Sequence, residues 1–268
     1  MLLTLFYYLS LVESATQSLQ DLGGVMAHSI RFKCSIVSLL LTVCAALILA
    51  TGSAWARPIE DGIAALGRGN YADALRIIQP LAAQGDAHAQ NNLGIMYENG
   101  RGVGRHYPEA LKWYRMAAAQ GLAGAQFSLG VMHANGRGVA RDTSEALKWY
   151  RLAATQGDAR AQFNVGSMYD NGRSVRRDYP EAIKWYRLAA EQGDAHAQRS
   201  LGELYYDGLG VAQDYVRAYQ WLNLSAMAGD SSAVKYRDIF AKRMTPQQIA
   251  EGLRLARECQ QKTFKGCD

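Results

Sequence analysis

The residues able to do chemistry are few and far apart. Cys259 and Cys267 stand close together near the C-terminus. In an exported chain an even pair reads as one disulfide, which would contribute about 2–3 kcal/mol by restricting the unfolded chain. Free thiols or half of a metal site are the other readings, but no histidine or further cysteine lies nearby to complete a ligand set. His88 and His196 lie far apart in sequence and read as polar residues at helix starts. Gly100-Arg101-Gly102 and Gly136-Arg137-Gly138 could hold an anion on backbone N–H groups, yet they read better as tight reversals. There is no His-Glu-x-x-His, no Gly-x-Ser-x-Gly and no phosphate loop ending in Gly-Lys-Ser/Thr. No catalytic residue, cofactor-binding residue or metal ligand is nominated, and the expectation is a non-enzymatic protein without a cofactor.

The bulk composition suits a folded domain: 268 residues, 49% hydrophobic and 20% charged, with a formal net charge of +5. That excess is too small and too interleaved with Asp and Glu to point to nucleic acid. Near the N-terminus, basic Arg31 and Lys33 precede an apolar run from Ile36 to Ala50, closed by Ala54-Trp55-Ala56. This order is that of a secretory signal, with cleavage expected after Ala56. The run is short for a membrane span, so membrane contact is expected only through this segment if it stays uncleaved. Val43 before Cys44 argues against a lipoprotein. Residues 1–25 precede a segment that should begin the protein, so translation is expected to start at Met26 and the first 25 positions to be a gene-model extension. Cys34 and Cys44 would leave with the signal, and the mature protein is expected in the bacterial periplasm or secreted.

The elements that position everything else recur with a fixed period. Gly85, Gly121, Gly157, Gly193 and Gly229 mark one phase every 36 residues. Between them the same pattern returns: Ala89-Gln90, Leu93-Gly94, Tyr97, Asn99-Gly100-Arg101-Gly102-Val103, Pro108-Glu109-Ala110, Trp113-Tyr114, Ala117-Ala118, Gln120-Gly121. A period in this range means a stacked array. Each unit reads as two antiparallel helices. The first, about 86–99, stops at a glycine, and the second opens on capping boxes such as Asp142 with Glu145 and Asp178 with Glu181. Apolar residues fall at helical spacing, Ala89, Gly94, Ala110 and Ala117 allow close helix approach, and the recurring Trp113 and its equivalents read as core between units.

These motifs resemble Sel1-like repeats, relatives of the tetratricopeptide repeat, in four registered copies. The resemblance implies an all-α fold, a right-handed α/α superhelical solenoid of helix-turn-helix repeats. The organisation expected is an extension at 1–25, a signal at 26–56, N-terminal capping helices at 57–85, repeats at 86–121, 122–157, 158–193 and 194–229, and C-terminal capping helices at 230–268. The second of these last helices should open with a capping box at Thr245 and Gln248. Departures from the pattern carry expectations of their own. His106 in place of the capping Asp should weaken its helix start, His133 takes the place of Tyr97, Leu122 replaces an opening Asp, and Ser174 in place of a turn glycine should alter that loop. Some Sel1 proteins with a disulfide in every repeat are described as β-lactam-binding or β-lactam-hydrolysing; this chain lacks those cysteines.

Function should then sit where the repeats differ. In such superhelices the first helices line the concave face. One phase there carries Asn91, Phe127, Phe163 and Arg199, and the next carries Ile95, Val131, Ser167 and Glu203. The two phenylalanines are either aromatic anchors for a partner or packing between helices. A second surface is the loop edge of Arg101, Arg105, Arg137, Arg141, Arg173, Arg176 and Arg177, either a cationic binding edge or arginines neutralised by neighbouring acids. The primary expectation is a scaffold or adaptor that binds a protein or peptide, as Sel1 proteins commonly do in assembly and signalling. The alternative is a binder of cell-envelope polymer, peptidoglycan in particular. A nucleic-acid partner is not expected.

Overall fold

The computed structural model describes residues 59–267, and all regular structure within them is helical. The expectations for a start at Met26 and a signal ending at Ala56 lie outside the described residues. Twelve helices follow one another: α1 (59–67), α2 (Tyr71–Ala83), α3 (Ala87–Asn99), α4 (Tyr107–Ala119), α5 (Ala123–Asn135), α6 (Thr143–Thr155), α7 (Ala159–Asn171), α8 (Tyr179–Ala190), α9 (Ala195–Asp207), α10 (Tyr215–Met227), α11 (Ser231–Ala241) and α12 (Pro246–Gln261). From α2 to α11 each helix packs on the next. The last, α12, turns back onto α10.

The helix borders follow from the repeated cap chemistry. First helices α3, α7 and α9 open on Asp86, Asp158 and Asp194, whose carboxylates accept a backbone N–H three residues on. Leu122 leaves α5 without a side-chain cap. Each first helix ends on a glycine in the left-handed conformation, such as Gly100 at φ 70°. At the second helices the structure corrects two expectations. His106 does cap α4, its Nδ1 accepting from the Glu109 N–H at 3.2 Å. The capping boxes at Asp142 and Asp178 are only half formed. Their carboxylates accept from the N–H of Glu145 and Glu181, but their own N–H groups donate to the carbonyls of His133 and Tyr169 on the preceding helix. The glutamates, released from the cap, bond Lys148 and Lys184 instead. Thr245 and Gln248 do form the full reciprocal box.

Much of the core runs across the boundaries between units. One buried cluster joins Ala110, Leu111, Tyr114 and Ala117 of α4 to Ala125, Leu129 and Met132 of α5; the next joins α6 to α7 in the same way. Trp149 and Trp185 pack onto the cluster that joins their own unit to the one before. Within a unit, close approach of the two helices depends on the recurring glycine. A methyl group on Gly94, Gly130 or Gly166 would fall 2.7, 2.5 or 2.7 Å from the ring of Tyr114, Tyr150 or Tyr186.

A buried amide relay fixes the register. The Gln90 side-chain amide donates to the Ala82 carbonyl on the helix before, and Gln120 donates to the Gln90 Oε1 at 2.8 Å. Gln126 with Gln156, and Gln162 with Gln192, repeat the arrangement. Each glutamine therefore ties three successive helices. The relay stops at Gln198, because Ala228 stands where the next donor belongs, and the fully buried Gln198 Oε1 has no partner among the described residues.

Candidate interaction surface

The side chains proposed for the first-helix face are neither fully exposed nor fully buried. Asn91, Ile95, Phe127, Val131, Phe163, Ser167, Arg199 and Glu203 are all half-buried. The structure links Phe127, Phe163 and Arg199 to residues that their sequence pattern does not single out, and Glu203 to Arg199. Phe127 lies against Tyr150 of its own unit, and the Arg160 guanidinium of the next unit stands over its ring at 4.2 Å. Phe163 repeats this one unit on, against Tyr186 below and His196 above, each with ring centroids under 6 Å apart. Arg160 and His196 both lie 33 positions after the ring they cover. The two phenylalanines are thus partly packing and partly surface, with their rings roofed by polar groups.

The same face has a charged end. Arg199 donates to Glu203 at 2.8 Å and to Asp230 at 2.9 Å, and His196 Nδ1 lies 3.3 Å from the same Asp230 carboxylate. Burial alone would raise the Asp230 carboxyl, but hydrogen bonds from Arg199 and from the Ser232 and Ala233 N–H groups outweigh it and hold it below its ordinary value. For Glu203 the balance goes the other way. Burial, with Asp170 and Asp207 nearby, outweighs its bond to Arg199 and raises it. Asp230 is therefore the firm anion of this end, while Glu203 sits in a drier, more crowded acid environment. His88 at the other end is exposed.

The loop arginines form a separate surface, and all seven are exposed. Arg137 bonds Glu98 at 3.1 Å, a carboxylate that also accepts from Tyr114. The Arg101 and Arg177 guanidinium groups stand 5.8 Å from the rings of Tyr71 and Tyr179, and Arg177 acts electrostatically on Asp170. Arg105, Arg141, Arg173 and Arg176 have no carboxylate within 4 Å among the described residues. Neutralisation by nearby acids therefore accounts for only part of this edge.

The loop expected to differ at Ser174 keeps its turn. Ser174 adopts φ 61°, close to the values of Gly102 and Gly138, so a non-glycine residue holds the left-handed position. The glycine loops press on the tyrosine opening the previous second helix: Gly102 on Tyr71, Gly138 on Tyr107, Gly210 on Tyr179. At the corresponding place under Ser174 the chain carries Thr143, and the two hydroxyls hydrogen-bond. A larger residue on one side is matched by a smaller one on the other.

Cys259 and Cys267 are joined in the structure, with Cα atoms 5.2 Å apart, and the Cys267 carbonyl accepts from Gln220 of α10. No three potential metal-ligating side chains gather among the described residues.

The Sel1 repeat family matches residues 87–122, 123–158, 159–194 and 195–230, more than half of the chain. The chain belongs to the Sel1 repeat family. A solved Sel1 repeat protein from Oxalobacter formigenes is similar at 39% identity, over 67% of this chain and 73% of that one, with a TM-score of 0.64. A protective antigen from uropathogenic Escherichia coli with the same repeat fold is 29% identical over 74% of this chain, with a TM-score of 0.52. This chain spans 50% of that antigen's length. No curated protein matches. Sel1 repeats build scaffolds for protein interaction, and the solenoid described above is a typical non-catalytic frame of this kind.

Proposed function

We propose that this protein is an exported, non-enzymatic adaptor that binds a protein or peptide along its first-helix face. The observation that carries this reading is the set of contacts that cross from one unit to the next on that face. Adjacent units join through Phe127 with Arg160, Phe163 with His196, and Arg199 with Asp230, while the side chains change character from unit to unit. A repeated frame with varied side chains on one face suits an extended partner. Half-buried aromatic rings edged by polar groups suit its anchoring points. Export to the periplasm or the medium is supported by the signal-like N-terminal segment, with cleavage after Ala56. The pairing of Cys259 with Cys267 suits an oxidising compartment. Regulation of an envelope signalling or assembly complex fits such an adaptor.

The test is site-specific photo-crosslinking in intact cells. A probe replacing Phe163 should capture one discrete partner, and a probe replacing exposed Lys148 on α6 should capture none. Partner binding anchored by Phe127 and Phe163 should weaken only slightly as salt rises. Equal capture from both probes, or none from either, would remove the adaptor reading.

A further inference from the structure

We infer that the loop edge is a second binding site, distinct from the first-helix face, that takes a flexible phosphate-rich polyanion.

Three observations lead there. First, the charge is concentrated and one-sided. The loops at 100–106, 136–142 and 172–178 carry seven arginines and no lysine, and their only acids are Asp142 and Asp178. Both of those carboxylates are engaged with backbone N–H groups at the starts of α6 and α8. The loop at 208–214 has Leu209 and Gln213 where the others have arginine, so the edge covers three units and then ends.

Second, the edge is preorganised. The backbone of Arg105, Arg141 and Arg177 lies against the turn glycines Gly100, Gly136 and Gly172, where an added Cβ would meet it at 3.3–3.4 Å. Val139 and Val175 anchor two of the loops in the cores below. The loops also press on the preceding unit, as the contacts of Gly102, Gly138 and Ser174 show. The backbone thereby sets out the cations in two rows, Arg101, Arg137 and Arg173 in one and Arg105, Arg141 and Arg177 in the other, and only the exposed side chains remain for a ligand to order.

Third, the edge lacks what a folded protein partner needs. None of the exposed large apolar side chains, such as Leu152, Leu188 or Ile239, belongs to these loops. Rows of guanidinium groups on a fixed backbone, without apolar anchors, suit a charged polymer. Guanidinium is also the cation that bonds phosphate oxygens in pairs, whereas an ammonium acts as a point charge. Phosphate carries more charge per length of chain than carboxylate, so a polyphosphate-like chain releases more counterions on binding.

The experiment measures binding of end-labelled linear polyphosphate of uniform length by fluorescence anisotropy, using the protein as it accumulates in cells, across a range of salt. Polyglutamate of matched length is the comparison probe. The variant R105Q/R141Q/R173Q/R176Q should lose at least about tenfold in affinity and show a shallower salt dependence. The charge-matched variant K112Q/K148Q/K184Q/K235Q should stay within about twofold of the parent, since diffuse charge is screened. The half variants R105Q/R141Q and R173Q/R176Q should each give part of the loss, which keeps the test readable if the fourfold variant folds poorly. Equal losses in the arginine and lysine variants would overturn the site. So would polyglutamate binding as tightly as polyphosphate, which would make the edge a dock for acidic peptide, or an absence of polyphosphate binding to the parent protein.

Discussion

At the scale of single residues, small side chains in this protein do two opposite things. Gly130 is needed because α5 and α6 approach so closely that Tyr150 fills the space a methyl would take. Gly124, in the same helix, faces open space. The two glycines therefore give opposite outcomes to one substitution. Gly130→Ala should destabilise by about 1–3 kcal/mol through overpacking. Gly124→Ala should stabilise by about 0.5–1 kcal/mol, because alanine loses less backbone freedom in a helix. Urea unfolding of the two variants beside the parent measures both. Ser174 and Thr143 teach the complementary lesson. A departure that looks disruptive on one strand of the pattern is absorbed by a second departure in the unit beneath it.

At the scale of elements, the amide relay explains why glutamine recurs beside alanine on a buried helix face. Gln126 and Gln162 are almost fully buried; each amide donates to a carbonyl of the helix before, and each Oε1 accepts from the glutamine 30 positions later. Gln156→Ala should therefore cost about 1–3 kcal/mol, the penalty for leaving the Gln126 oxygen buried without a donor. Ala228→Gln should do the reverse, offering a donor to the orphaned Gln198 oxygen and raising the melting temperature. If both changes leave thermal unfolding unaltered, the relay is incidental to stability. The recurrence of these glutamines was visible in the sequence, but their purpose was not. A polar residue at a helical core position is explained only by a partner, and that partner lies on another helix.

At the scale of the whole molecule, stability is a chain of neighbour contacts, since the core clusters cross the boundaries between units. The ends of such a stack have one neighbour fewer. Here the C-terminal end is closed by α12 folding back on α10, with the Cys259–Cys267 bond holding the final turn against Gln220. Reduction of that bond should lower stability by about 2–3 kcal/mol. In hydrogen exchange the loss of protection should begin in α10 and α12, while α4 to α7 remain protected. Uniform loss along the array would mean that the repeats unfold as a single unit and that the cap is not a separate element.

Most of the architecture was determined by the sequence alone. A 36-residue period, helix-spaced apolar residues and glycine stops are local signals, and they repeat often enough to fix helix number, order and register without any long-range information. Local chemistry also placed the N-caps, and only the reciprocal half of the boxes at Asp142 and Asp178 was lost, where the neighbouring helix takes the Asp N–H. Tertiary structure alone decided what covers each candidate site residue. Phe127 and Phe163 could not be read as buried or exposed because Arg160 and His196 reach them from the next unit. Nor could the sequence say which loop arginines have acid partners, because Glu98 meets Arg137 across a unit boundary. Periodicity fixes where a side chain starts on its helix; only the stacking of one unit on the next fixes what stands in front of it.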